Sequence, residues 1–184
     1  MDLTGKLLIA MPSMGDPRFA QSVVLMCSHG EDGGMGLIVN KPASDVTLSA
    51  LMEQLSIDGA DRFPSSPVYF GGPVEGSRGF VLHSSDYRSH LQTLEVGEAF
   101  RMTATMDVLE DMATGQGPQH ALMMLGYAGW GPGQLENEIA MNGWLTADAD
   151  AALVFTTPNV QKWSGALKTL GVEPLMLSGS AGTA

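Results

Sequence analysis

Short apolar runs punctuate this chain: LLIAM, VVLMC, GLIV, VYF, GFVL, ALMML and ALVF, each bounded by Gly, Pro, Asp or Ser. Runs of that length, rich in branched or long aliphatic side chains, fit β-strands, several of them buried on both faces. The connections then decide the architecture. Ser22 to His29 and Met35 to Asn40 flank GEDGG, a glycine-rich polar link of hairpin length whose residues accept positive φ. VYFGG and RGFVLH flank PVEGS, which predicts a second hairpin around Pro73 to Ser77.

Helical spacing occurs elsewhere. Leu48, Leu51, Met52 and Leu55 share a face after Thr47, an N-cap candidate, and Val108, Leu109 and Met112 do so after Thr105, with Gly115 and Pro118 as the stop. In TPNVQKWSGALKTLG, Pro158 suits a first turn. Val160, Trp163, Leu167 and Leu170 form the apolar face, Gly171 ends the segment, and Trp163 is expected to pack. Hairpins come first and helices later, so a mixed α+β domain is favoured over a repeating βαβ sheet. One domain over residues 1–177 is expected, with SGSAGTA (178–184) as a frayed tail.

Charge and cysteine content narrow the function classes. Twenty Asp and Glu against nine Lys and Arg give a net charge of −11, and the basic residues are scattered singly. Such a field repels phosphate backbones and anionic membranes, which argues against a nucleic-acid or membrane partner. The single Cys27 lies within VVLMC and reads as a buried small hydrophobe. A lone cysteine, together with an N-terminal MDLTGKLLIAMPSMGDP that lacks the pattern of a signal peptide, predicts a cytoplasmic protein. No apolar run approaches the ~20 residues needed to span a bilayer.

The stretch GYAGWGPGQLENEIAMNGWL has the outline of a phosphate cradle: apolar strand, glycine turn, helix. Its chemistry is wrong for that task. Gln134 and Leu135 stand where a Walker loop needs Lys and Ser or Thr, Pro132 lacks an amide, and Glu136 and Glu138 would repel an anion. The plain reading of both carboxylates is that they complement the helix dipole. Leu135 and Ile139, with Tyr127, Trp130 and Trp144, form an apolar group larger than a simple connector needs.

Taken together, LLIAMPSMGDPRFAQSVVLMCSHGEDGGMGLIVNKP, VYFGGPVEGSRGFVLH and GYAGWGPGQLENEIAMNGWL resemble the AlgH/YqgE family of bacterial proteins over nearly the whole chain. The resemblance implies a single-domain cytoplasmic α+β protein, its mixed sheet partly closed into a small barrel with surrounding helices. It implies no established activity. Some members carry the label of a transcriptional regulator of alginate synthesis, which this acidic chain, without a readable helix-turn-helix, does not support as direct operator binding.

Polar residues inside those blocks are the candidate binding surface: Asp16, His29, Asn40, Lys41, Arg78, His83, Gln134 and Glu138, with Trp130 beside them. Each also has a plain structural reading. Asp16 before Pro17 forms turns, Asn40 closes a strand, Arg78 pairs with a carboxylate, and strand-end histidines serve as satisfied donors. No HxH, HExxH or Cys–His spacing supports a metal, no GxSxG or SxxK supports a serine nucleophile, and no cofactor is expected. The thirteen methionines are read as filler of an irregular core.

The leading expectation is a non-enzymatic binding or regulatory protein that contacts a protein partner or small ligand through the loops around Asp16, Lys41, Arg78 and Trp130. An alternative is an enzyme acting on an anionic metabolite, with His29 as acid or base and Lys41 and Arg78 holding the substrate; it requires those side chains to share a cleft. Direct DNA binding is the third and is disfavoured by charge. Oligomeric state and sheet topology are not legible.

Overall fold

A computed structural model describes residues 1–177; the expected tail at 178–184 lies outside the described residues. The strands are β1 (Lys6–Ala10), β2 (Val23–Gly30), β3 (Gly33–Ile38), β4 (Pro42–Thr47), β5 (Pro67–Phe70), β6 (Val74–Ser84), β7 (Leu94–Val96), β8 (Phe100–Thr103), β9 (Ala121–Trp130) and β10 (Trp144–Asp148). The helices are α1 (Leu48–Gln54), α2 (Asp107–Thr114), α3 (Gln134–Ala140), α4 (Ala151–Phe155) and α5 (Asn159–Thr169). All ten strands form one sheet in the order β10-β1-β2-β3-β9-β6-β8-β7, with the β4-β5 pair attached to β9. Every pairing is antiparallel except β5 with β9, so the sheet is mixed.

The sheet curls until β7 lies against β2, making a half-barrel. Alternation along the strands builds it. Leu7 and Ile9 of β1, Leu25 and Cys27 of β2, and Leu37 of β3 point into one core, whereas Leu8, Val24, Met26 and Ile38 pack on the outer face. Burial pushes the Cys27 thiol up to about 12, as a solvent-excluded thiolate demands. Leu153, Val154, Ala166 and Leu167 of α4 and α5 join the inner core and stop one end of the barrel. There Trp163 Nε1 donates to the Ala10 carbonyl and Lys162 Nζ to that of Val39, both at strand ends.

Gly126 determines what the opposite end presents. Before it, Leu122 and Met124 face the barrel core, and Met123 packs outward under α1 and α2. At Gly126 φ is +73°, and the alternation slips by one residue: Tyr127 packs with the barrel core, Ala128 and Trp130 with the outer cluster. A Cβ at Gly126 would sit 2.4 Å from the Gly72 carbonyl oxygen, so only glycine allows this crossing.

The GEDGG hairpin forms as expected, with β2 and β3 paired from Val24–Ile38 to Gly30–Gly33. The second predicted hairpin does not. Strands β5 and β6 lie on opposite edges of β9, Leu125 standing between Phe70 and Gly79. The chain crosses β9 at Gly71–Gly72, where added Cβ atoms would fall 2.3 Å from Gly126 O and 2.0 Å from Tyr127 C. A glycine pair that lets one backbone cross another reads like a turn in sequence. ALVF is α4, not a strand, because Asp150 caps it by accepting from Ala152 N–H.

Helix α1 starts at Thr47, whose hydroxyl accepts from Ala50 N–H. Thr105 does not cap α2, since its hydroxyl donates to Asp107 Oδ1, although Val108, Leu109 and Met112 are buried as expected. On α5, Val160 is 91% exposed and Lys162 takes the buried face instead.

Candidate binding trough

Glu138 anchors the site. One oxygen, Oε2, accepts the indole N–H of both Trp130 (2.9 Å) and Trp144 (2.8 Å), while Oε1 accepts from Gln134 Nε2 at 2.9 Å. Gln134 Oε1 in turn accepts from Gly131 N–H at 3.0 Å, so the Gly131–Gly133 turn, α3 and β10 are tied through one carboxylate. The expectation that Glu138 merely complements the helix dipole is therefore corrected. It lies past the first turn and holds two indoles that are 6% and 2% exposed. Leu135 and Ile139 pack beneath those rings, and Phe19 meets Trp144 edge to face.

Glu138 and Gln134 line a groove of about 560 Å³ whose far wall carries Asp16, Phe19 and Met14. Asp16 caps the one-turn helix Pro17–Phe19 through Arg18 N–H and receives the Arg18 guanidinium on both oxygens. Those Arg18 hydrogen bonds hold its carboxyl below the usual carboxylate range.

A second groove, of about 770 Å³, opens on the end of the half-barrel opposite α4 and α5. Its floor is Met35, Phe80, Met102 and Tyr127, and its rim carries Arg78, Asp32 and Gln92. Arg78 is paired with Glu75 at 3.3 Å and sits 5.0 Å from the Phe80 ring centre, a cation–π arrangement. Val74, Gly129 and Trp130 line both grooves, so the two border each other at the end of β9, one on the inner and one on the outer face of the sheet; together they are the candidate trough.

Five of the sequence candidates thus fall on the trough: Asp16, Arg78, Trp130, Gln134 and Glu138. The others have structural positions. Asn40 Oδ1 accepts from Val23 N–H and its Nδ2 donates to Gln21 O, fastening the start of β2. Lys41 Nζ donates to Arg18 O at 2.8 Å, steadying the Asp16 loop from outside the groove, and desolvation lowers its pKa.

The His29 side chain is 1% exposed; its Nδ1 accepts from Leu3 N–H, and Nε2 lies 3.1 Å from Glu136 Oε1 without hydrogen-bond alignment. His83 is buried between Ser84 O and the Thr103 hydroxyl. A carbonyl only accepts, so Nδ1 donates and Nε2 accepts, and burial holds this imidazole neutral by lowering its pKa. His29, Lys41 and Arg78 share neither groove, so the geometry on which the enzyme alternative depends is not met.

Sequence reasoning missed Phe80 and Met102, read Met35 as core filler and placed Tyr127 only in the apolar group around Trp130; the four lie far apart along the chain and converge only when the barrel curls. Among the described residues no group of three or more His, Cys, Asp or Glu could hold a metal ion, and no helix is long and apolar enough to cross a membrane.

The sequence pattern of the family described as AlgH-like matches residues 7–175. The chain belongs to that family. A UPF0301 protein of Ruegeria pomeroyi is 62% identical over 185 residues, covering all of both chains, and one of Cereibacter sphaeroides is 55% identical over 184 residues with the same coverage. Among solved structures, the AlgH protein of Pseudomonas aeruginosa superposes with a TM-score of 0.79 at 44% identity, covering 100% of this chain and 97% of that one. A protein of Corynebacterium diphtheriae gives 0.75 at 20% identity, over 97% and 92%, which shows the shared fold alone. An AlgH-like chain is thus a single-domain half-barrel, and the trough lies in its matched region.

Proposed function

We propose that this AlgH-like protein is a cytoplasmic, non-enzymatic binding protein that takes an extended segment of a protein partner in the trough across Trp130. The observation that carries this reading is the shared border of the two grooves at Val74, Gly129 and Trp130. Mouths of barrels are favoured ligand sites, and two neighbouring grooves that share a border suit an extended segment better than one compact small molecule, which a single pocket of about 300–1,000 Å³ would hold. Its mix of rigid aromatic rings, methionines and a few fixed polar groups is the composition of a recognition surface. Any regulatory role passes through that partner, since a net charge of −11 works against direct contact with DNA.

Site-specific photocrosslinking in the cells that express the protein tests the reading. A benzophenone side chain at Met141, 82% exposed on the trough rim, is expected to give a discrete adduct; the same group at Val160, 91% exposed on α5, is not. Adducts from Val160 alone would point to another surface.

A further inference from the structure

The walls of the Glu138 groove say more about the partner than its volume does. We infer that this groove receives an arginine side chain of the bound segment, the guanidinium pairing with Glu138; the inference rests on the reading of the trough as a peptide site. Three donors fix the Glu138 carboxylate, so the cost of orienting an acceptor is already met before binding. Oxygen Oε2 is filled by both indoles, but among the described residues Oε1 accepts only from Gln134 and keeps lone-pair capacity for another donor.

Charge selects the ligand. Arg18, the cation of this groove, is folded back onto Asp16 and satisfied there, which leaves Glu138, among the described residues, as the charged acceptor without a cationic partner. An incoming anion would be repelled. The rings of Phe19, Trp130 and Trp144 and the side chains of Met14 and Met141 surround the carboxylate with apolar surface. A planar, weakly hydrated guanidinium on a three-carbon stem suits such walls better than a strongly hydrated ammonium. The net charge of −11 draws a basic segment at long range.

The test uses acetyl-Leu-Arg-Leu-amide and its citrulline counterpart, which keeps the shape and removes the charge. Binding is followed through the indole N–H resonances of Trp130 and Trp144 in the intact protein. The arginine peptide is expected to shift both resonances and to bind about tenfold more tightly than the citrulline peptide, with the gap closing as salt is raised. Glu138→Gln is expected to abolish the discrimination. Because that substitution disturbs the indole donors, the comparison of the two peptides on the unaltered protein is the deciding arm. Equal affinity of the two in the trough overturns the arginine assignment and leaves the trough as a peptide site. No shift at either indole, or shifts confined to residues elsewhere, overturns both.

Discussion

Trp130, the last residue of β9, donates its indole N–H to Glu138 on α3 at 2.9 Å, across a turn of glycines and proline. Trp144 reaches the same oxygen from β10. The turn therefore carries a fixed polar pivot whose partners are buried aromatic rings, and the trough is shaped around it.

Replacing Glu138 by alanine leaves two buried indole donors without an acceptor. At roughly 1–3 kcal/mol for each unsatisfied buried group, partly relieved by water at the groove, a loss of about 2–4 kcal/mol is expected. Urea unfolding at neutral pH, followed by tryptophan fluorescence, measures it. A change within ~0.5 kcal/mol, the range of ordinary surface substitutions, would show that the carboxylate does not hold the rings.

Much of this architecture can be read from the chain, for definable reasons. Alternation in VVLMC and GLIV and the GEDGG link specify β2 and β3, because strand period and turn chemistry are local. Thr47 and the spacing of Leu48 and Met52 specify α1 for the same reason. The crossing at Gly71–Gly72 and the slip in alternation at Gly126 exist only through contact between distant backbones, so their glycines look like any turn. Lys162 escaped notice because its burial depends on the Val39 carbonyl, far away in sequence. In the site, Asp16, Gln134 and Glu138 were legible as polar residues at local turns, and Tyr127 as one of the aromatics near Trp130; Phe80 and Met102 were not, since curvature of the sheet brings them together.

Gly126→Ala tests the slip in alternation along β9. A Cβ there meets the Gly72 carbonyl oxygen at 2.4 Å with φ at +73°, whereas Gly133, at φ +72°, has nothing within 4 Å. Positive φ alone costs a non-glycine residue about 1–2 kcal/mol, so Gly133→Ala should melt slightly lower than the parent. Gly126→Ala should lose several degrees more or fail to fold. Equal melting temperatures for the two variants would remove the claim that backbone contact dictates glycine at position 126.

Lys162 predicts a pH dependence. Burial lowers its pKa from 10.5 to about 8 in the folded protein, where Nζ donates to Val39 O with the Tyr69 ring nearby. Between those values the unfolded chain binds the extra proton, so the contribution of this group to stability rises with pH from about 8 to 10.5. At ~1.4 kcal/mol per pKa unit the full span is roughly 3 kcal/mol. The stability of the parent minus that of Lys162→Met should climb by about that amount between neutral pH and pH ~10.5. A difference that stays flat would contradict a buried, charged Lys162.

Cys27, 1% exposed on β2 with its pKa pushed up to about 12, should resist thiol reagents in the native state. Ellman's reagent is expected to label it only after unfolding in urea. Rapid labelling of the folded protein would mean that the inner face of β2 opens on that timescale.

Recognition across Trp130 places the bound segment at the border of the two grooves, and Gly129 stands at that border. A Cβ there makes ordinary contacts, 3.4 Å to Tyr127 Cε2 and 3.9 Å to Val74 Cγ2, so Gly129→Val should fold while filling the junction. The decisive measurement is the yield of the Met141 photocrosslink in the parent and in Gly129→Val, with both melting temperatures recorded. The adduct is expected to disappear while the melting temperature stays close to that of the parent. An adduct of undiminished yield from a folded Gly129→Val protein would contradict recognition at that border.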